Sequence, residues 1–296
     1  MKIHTVLSVV FLAATLSLAP YAAIADSDAE TAAGIRYQVV GREPILLIHG
    51  AFLEDALVPT MRQPELSGFQ LIHYHRRGFG GSVAHDGAMS MAQEADDAVA
   101  LLDELSISKA HIVGYSSGGV IAYQFTVAYP DRVASLSLIE PALNMPGMSE
   151  DDMPPFLLEA QARMLAAYES GDIRGAVDIF QSLNGDQDWQ SRIDAIFPGG
   201  SEKVYANGRL FFELEGPAVA ASSFTEADAR AIRSPVLLIV SDSAFQMTAG
   251  VRALFKEWIP QTTEALIENA DHSMPFMRPE PVAQAIAGFV AANPID

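Results

Sequence analysis

The sequence predicts an α/β fold: a mainly parallel, doubly wound sheet with a helical cap inserted between two of its strands. Three observations predict it. Short aliphatic or β-branched runs alternate with amphipathic helical stretches over most of the chain, the pattern of strands joined by crossing helices. The runs are apolar nearly throughout, as strands covered on both faces must be. One block breaks the alternation, because about ninety residues between Glu140 and Pro235 carry helical patterning with almost no strand signal.

Ile35 to Val40 and Pro44 to Ile48 read as strands split by Gly41-Arg42-Glu43, and the second runs into His49-Gly50-Ala51-Phe52. Phe69 to His73 is a third strand, ending in the Gly-rich turn His75 to Ser82. Ser90 to Leu105 places Ala95, Ala98, Val99, Leu101, Leu102 and Leu105 on one face, with Ser90 placed to cap the helix. Ala110 to Val113 is a strand, Gly119 to Tyr129 a helix stopped at Pro130-Asp131, and Val133 to Ile139 the next strand. In the inserted block Phe156 to Tyr168 and Ile173 to Leu183 are the clearest helices. Pro235 to Val240 and Glu264 to Ile267 are the last strands, separated by a helix from about Thr248 to Trp258. Pro279 to Ala292 closes the chain as a helix with proline in its first turn. Connections between parallel strands should be right-handed.

The expected organisation is a signal peptide at 1–25, a core domain from 26–140 and 231–296, and a helical cap at 141–230. Lys2, the apolar Thr5 to Leu18 and Ala23-Ile24-Ala25 before Asp26 have the layout of a cleaved leader. The apolar stretch is short for a membrane span. With no cysteine there is no lipobox and no disulfide framework, so a periplasmic or secreted protein is expected, with no membrane insertion of the mature chain. The 296-residue chain has a formal net charge of −19, or −20 once Lys2 leaves with the leader. That balance disfavours nucleic acid and anionic membranes as partners and repels polyanionic substrates. A small-molecule substrate fits it better.

The chemistry centres on Gly114-Tyr115-Ser116-Ser117-Gly118, a Gly-x-Ser-x-Gly turn between a strand and a helix. Such a turn exposes the Ser116 hydroxyl, and its glycines remove the side chains that would clash there. It also aims helix N-terminal N–H groups at developing negative charge. A nucleophilic serine needs a base. Among seven histidines only His272 follows the final strand in a loop before the last helix, where it can reach back across the sheet edge.

The order His-Gly turn, Arg-Gly-x-Gly-x-Ser turn, Gly-x-Ser-x-Gly elbow, helical insertion and late histidine resembles the α/β-hydrolase fold superfamily, over essentially the whole mature chain. The resemblance is to its serine esterases and lactonases with a helical cap. It implies an oxyanion hole from the backbone N–H groups of Ser117 and Ala51, with Phe52 as the fallback for Ala51. It also implies a carboxylate beside His272. The position most members use for that acid is Ala244 here, so the usual carboxylate is missing. Asp242 lies two residues early. Glu140, 24 residues after Ser116, stands where a minority of members carry the acid. An acid ending an apolar strand is costly to bury without a partner, so Glu140 is preferred and Asp242 stays the alternative. His75 departs from the family's usual Asp in the Gly-rich turn. His73 and His75 share a strand face and could hold a metal, but no third ligand is evident, so neither metal nor cofactor is assigned.

These residues imply acyl transfer on a carboxylic ester or lactone through an acyl-enzyme. The same residues serve C–C bond hydrolases and cofactor-free haloperoxidases on this fold, and some relatives are ligand receptors, so those readings stay open. Met145, Met148, Met153, Phe156, Met164, Phe180 and Trp189 are candidates to line an apolar pocket in the cap, or to form the cap's own core.

Overall fold

Alternate residues of each central strand pass to opposite faces of one eight-stranded sheet, and this period of two divides the core into two layers. The computed structural model describes residues 29–31, 34–40, 43–144, 154–184, 188–243 and 249–295. The expected leader, Met145, Met148, Met153 and Ala244 lie outside them. The strands are β1 (Ala29–Glu30), β2 (Arg36–Val40), β3 (Glu43–Ile48), β4 (Phe69–Tyr74), β5 (Ala110–Tyr115), β6 (Val133–Ile139), β7 (Val236–Ser241) and β8 (Thr262–Ile267). Their spatial order is β1-β2-β4-β3-β5-β6-β7-β8. The pairs β1/β2 and β2/β4 are antiparallel and every other pair is parallel.

Leu46, Ile48, Ile112, Leu136 and Leu238 join one layer with Ala98, Leu102, Val120 and Phe125 from the helices Met91–Glu104 and Ser117–Ala128. Ile45, Leu47, Val113, Ile139 and Ile239 join the other with Val282, Ile286 and Val290 from the helix Pro279–Ala291. Full burial of side chains like these contributes about 1.5–3 kcal/mol each, and the buried polar residues of the central strands, His111, Ser135 and Ser137, are few beside them. Ser90 caps the helix Met91–Glu104, its hydroxyl accepting from the Gln93 N–H at 3.1 Å.

The strand order positions the site. The chain leaves β3 toward β4 on one side, then crosses to β5 on the other, so the loops after β3 and β5 part at a topological switch point. Parallel strands end on a common edge. Ala51, Ser116, Glu140, Asp242 and His272 all follow strands that finish there. Between β6 and β7 the described chain is helical. Its helices include Pro155–Glu169, Ile173–Asn184, Trp189–Ile196 and Gly200–Ala206, then a π-turn at Phe211–Glu215 running into Gly216–Ala221. No helix among the described residues is long and apolar enough to cross a membrane.

Candidate active site

Ser116 sits at φ 54° and ψ −121°, a backbone conformation that side chains other than glycine rarely adopt. The surroundings over-determine it. Its N–H donates to the Ile139 carbonyl at 3.0 Å, and its carbonyl accepts from Gly119 at 2.9 Å and Ala142 at 3.0 Å. The flanking glycines are required by close approach, not by a turn. A Cβ on Gly118 would run into the carbonyl oxygens of Ile48 and His49, and one on Gly114 into the Gly118 carbonyl and Ala122. The helix begins at Ser117, two residues earlier than its apolar pattern implies.

His272 reaches this serine from the loop after β8, with Nε2 at 3.1 Å from the Ser116 hydroxyl. Its Nδ1 lies 2.7 Å from Oε2 of Glu140. An ionised carboxylate can only accept, so Nδ1 carries the proton and Nε2 is left to accept from the hydroxyl. Glu140 is buried, at 3% exposure, with φ 38° at the end of β6. Its other oxygen, Oε1, accepts from the Ser241 N–H at 2.8 Å and the Ser241 hydroxyl at 2.5 Å. Burial pushes the Glu140 carboxyl up, but the bonds from His272 and Ser241 outweigh it and hold the group below its ordinary value.

Asp242 is not brought to His272. Its carboxylate accepts the N–H groups of Asn269 at 3.0 Å and Ala270 at 3.2 Å, and those bonds hold it below the usual carboxylate range. It pins the loop that carries the histidine. Tyr115 pins the same loop, donating its hydroxyl to the His272 carbonyl at 2.8 Å. Ala51 and Ser117 border a cavity of about 430 Å³ at Ser116, together with Leu143, Phe180, Phe211 and Val219. Phe52, the fallback for the oxyanion N–H, does not border it. Its ring is buried against Phe180 and Phe211.

The expected pocket side chains separate in the same way. Phe180 borders the cavity, whereas Trp189 is buried against Tyr205 in the cap, Phe156 is exposed and Met164 is half-buried away from it. Beneath the oxyanion turn lies a charged network that sequence reasoning missed. The fully buried Arg76 donates to the Gly50 carbonyl at 3.0 Å and to the buried Glu215 of the π-turn at 2.5 Å. The same Glu215 oxygen accepts the Ser117 hydroxyl at 2.6 Å. Ser241, Tyr115 and Glu215 were hidden because each acts across the fold. Only Ser241, the first polar residue after the apolar run of β7, carried a local signal.

A family profile described as the alpha/beta hydrolase family matches residues 45–285. The chain belongs to that family. Among curated relatives of this alpha/beta hydrolase is the candidate carbamate hydrolase RutD of Caulobacter vibrioides, 32% identical over 115 residues. That match covers 37% of this chain and 43% of the relative, so it spans less than half of the relative's length. Two solved structures share the fold. The enol-lactonase from Burkholderia xenovorans LB400 superposes with a TM-score of 0.71 at 17% identity, covering 87% of this chain and 96% of that one. Est816, described as an N-acyl homoserine lactone degrading enzyme, gives 0.67 at 22% identity, covering 89% and 100%. Membership of the alpha/beta hydrolase family makes the chain a hydrolase, and the two solved structures add the likeness of fold alone.

Proposed function

We propose that this hydrolase cleaves a carboxylic ester or lactone of a small, largely apolar substrate through an acyl-enzyme on Ser116. One observation carries the reading: a continuous hydrogen-bonded chain, Glu140 to His272 to Ser116, ends at a cavity of small-molecule size with apolar walls. His272 takes the Ser116 proton as the hydroxyl attacks the carbonyl, and Glu140 holds the imidazole in the required tautomer and steadies its charge. The N–H groups of Ala51 and Ser117 receive the oxyanion. The leaving alcohol takes the proton from His272, and water activated by the same histidine clears the acyl group. In a lactone the leaving alcohol stays tethered, so release waits for that water. The lactonases among the solved structures support this substrate class by fold alone.

The test is hydrolysis of p-nitrophenyl esters of graded chain length and of simple lactones, beside an aryl carbamate and a ring-cleavage diketo acid. The expected result is turnover of short acyl esters or lactones, with Ser116→Ala lowering kcat by about 10⁴-fold or more. Turnover of the carbamate or the diketo acid alone would replace the ester reading. No turnover of any of them by the wild type would turn the site toward ligand binding.

A further inference from the structure

A second cavity, of about 490 Å³, shares no lining residue with the one at Ser116. Asp55, His73 and His75 converge on it, each offering one ligand atom, and these atoms lie within 4.8 Å of one another. His73 lies on β4 and His75 directly follows its last residue, two positions on, and the two rings lie together with centroids 5.3 Å apart. Asp55 comes from the turn that continues the oxyanion loop, eighteen residues before His73, which is why no third ligand is visible in the sequence.

The geometry points to a binding site for a divalent transition metal of the zinc class, held by Asp55, His73 and His75 with a fourth position toward the cavity. Two imidazoles and one carboxylate are a donor set for zinc and its neighbours, not for magnesium or calcium, which take oxygens. The outer contacts are those of metal-binding histidines, whose second ring nitrogen usually donates to a carbonyl or carboxylate. His73 Nε2 lies 3.0 Å from the Glu54 carbonyl, and His75 Nδ1 lies 3.4 Å from the Gly80 carbonyl. Each ring then has one nitrogen left to ligate. His75 Nε2 already stands 3.0 Å from Asp55 Oδ1, while Asp55 Oδ2 is held by Lys203 at 3.2 Å, which leaves the carboxylate to bind through one oxygen. Ligands at about 2.0–2.1 Å around a tetrahedral ion stand about 3.4 Å apart, so His75 and Asp55, at 3.0 Å, part slightly while the remaining separations, at most 4.8 Å, close toward that value. Arg62 also lines the cavity, so the fourth ligand is water or a small anion.

A metal here would tie the oxyanion turn to β4, because Asp55 closes that turn and His75 precedes Arg76, which holds the Gly50 carbonyl. Untagged protein, dialysed against chelator, is titrated with zinc chloride by calorimetry, and its melting temperature is followed. We expect one equivalent bound with a Kd in the micromolar range or tighter and a rise in Tm. Cobalt(II) chloride should give the visible bands of tetrahedral coordination. Asp55→Asn and His75→Gln, both at partly exposed residues, should each weaken zinc binding at least about ten-fold. Circular dichroism checks the fold of each, and His73→Gln, at a fully buried position, serves as a third arm. No zinc binding by the folded wild type overturns the site. Equal binding by wild type, Asp55→Asn and His75→Gln overturns it too, because the metal would then sit elsewhere.

Discussion

Holding a serine at φ 54° costs about 1–3 kcal/mol, and the hydrogen bonds of Ser116 to Ile139, Gly119 and Ala142 show where the compensation comes from. Glu140 shows the same economy. One oxygen is committed to Ser241, so only Oε2 is free to face His272. Glu140→Gln keeps the size and the Ser241 bonds but turns a donor toward Nδ1. The imidazole must then carry its proton on Nε2, where it cannot accept from Ser116. We expect kcat to fall about 10³–10⁴-fold with KM little changed, whereas Asp242→Asn, which touches only backbone N–H groups, should cost far less. Steady-state kinetics on the preferred ester decides it, and a larger loss in Asp242→Asn would move the acid to β7. Stability carries a second signature. Because the folded Glu140 carboxyl titrates below its ordinary value, its contribution is present above the unfolded pKa of about 4.3 and is lost as pH falls through the folded value. The stability gap between wild type and Glu140→Gln, measured by urea melts from pH 7 downward, should therefore change as pH falls below about 5. A gap that stays level from about pH 5 down to about pH 3 would sink this assignment.

At the scale of elements, the deepest polar link between the sheet edge and the cap runs through the fully buried Arg76 and Glu215. Arg76 holds the oxyanion turn through the Gly50 carbonyl and the π-turn through Glu215, and Glu215 in turn holds the Ser117 hydroxyl at the start of the nucleophile's helix. Glu94 lies 3.7 Å from the same guanidinium. Breaking a buried pair on one side strands the other charge, at a cost of about 3–5 kcal/mol. Glu215→Gln should lose stability on that scale in urea melts and lower kcat, while a loss below about 1 kcal/mol would mean that Glu94 suffices for Arg76. This clasp also marks the limit of what sequence shows about elements. The strands β3, β5, β6 and β7 were legible because buried parallel strands are largely apolar runs, interrupted here by His111, Ser135 and Ser137, and the helix Met91–Glu104 because its apolar face and Ser90 cap are local. The two-residue β1 has no apolar run to announce it. The short cap helices Trp189–Ile196 and Gly200–Ala206, separated by Phe197-Pro198-Gly199, lie in the block read as helical but had no individual bounds. Contacts such as Glu215 to Ser117, 98 residues apart, or Asp55 to His75, leave no periodic trace at all.

The whole molecule carries its charge unevenly balanced, with 37 acidic against 18 basic side chains. Many of the bases are already spoken for at short range, as in Arg77–Asp97, Arg174–Glu202, Arg192–Asp271 and Lys203 with Glu54 and Asp55. What remains is a formal excess of 19 negative charges. Salt discriminates between the two kinds of interaction. The Debye length shortens from about 30 Å at 0.01 M to about 8 Å at 0.15 M, so the long-range repulsion is largely screened, while pairs at 2.5–3.2 Å stay inside either length. Exposed pairs are in any case worth only about 0–1 kcal/mol each. The repulsion should therefore win the comparison, and adding sodium chloride at pH 7 should raise Tm by a few degrees, with about 1 kcal/mol corresponding to 2–4 °C in a chain of this size. A thermal melt series across that salt range is the check. A Tm that falls with salt would mean that the ion pairs between cap and core, not the net charge, dominate the electrostatics of the fold.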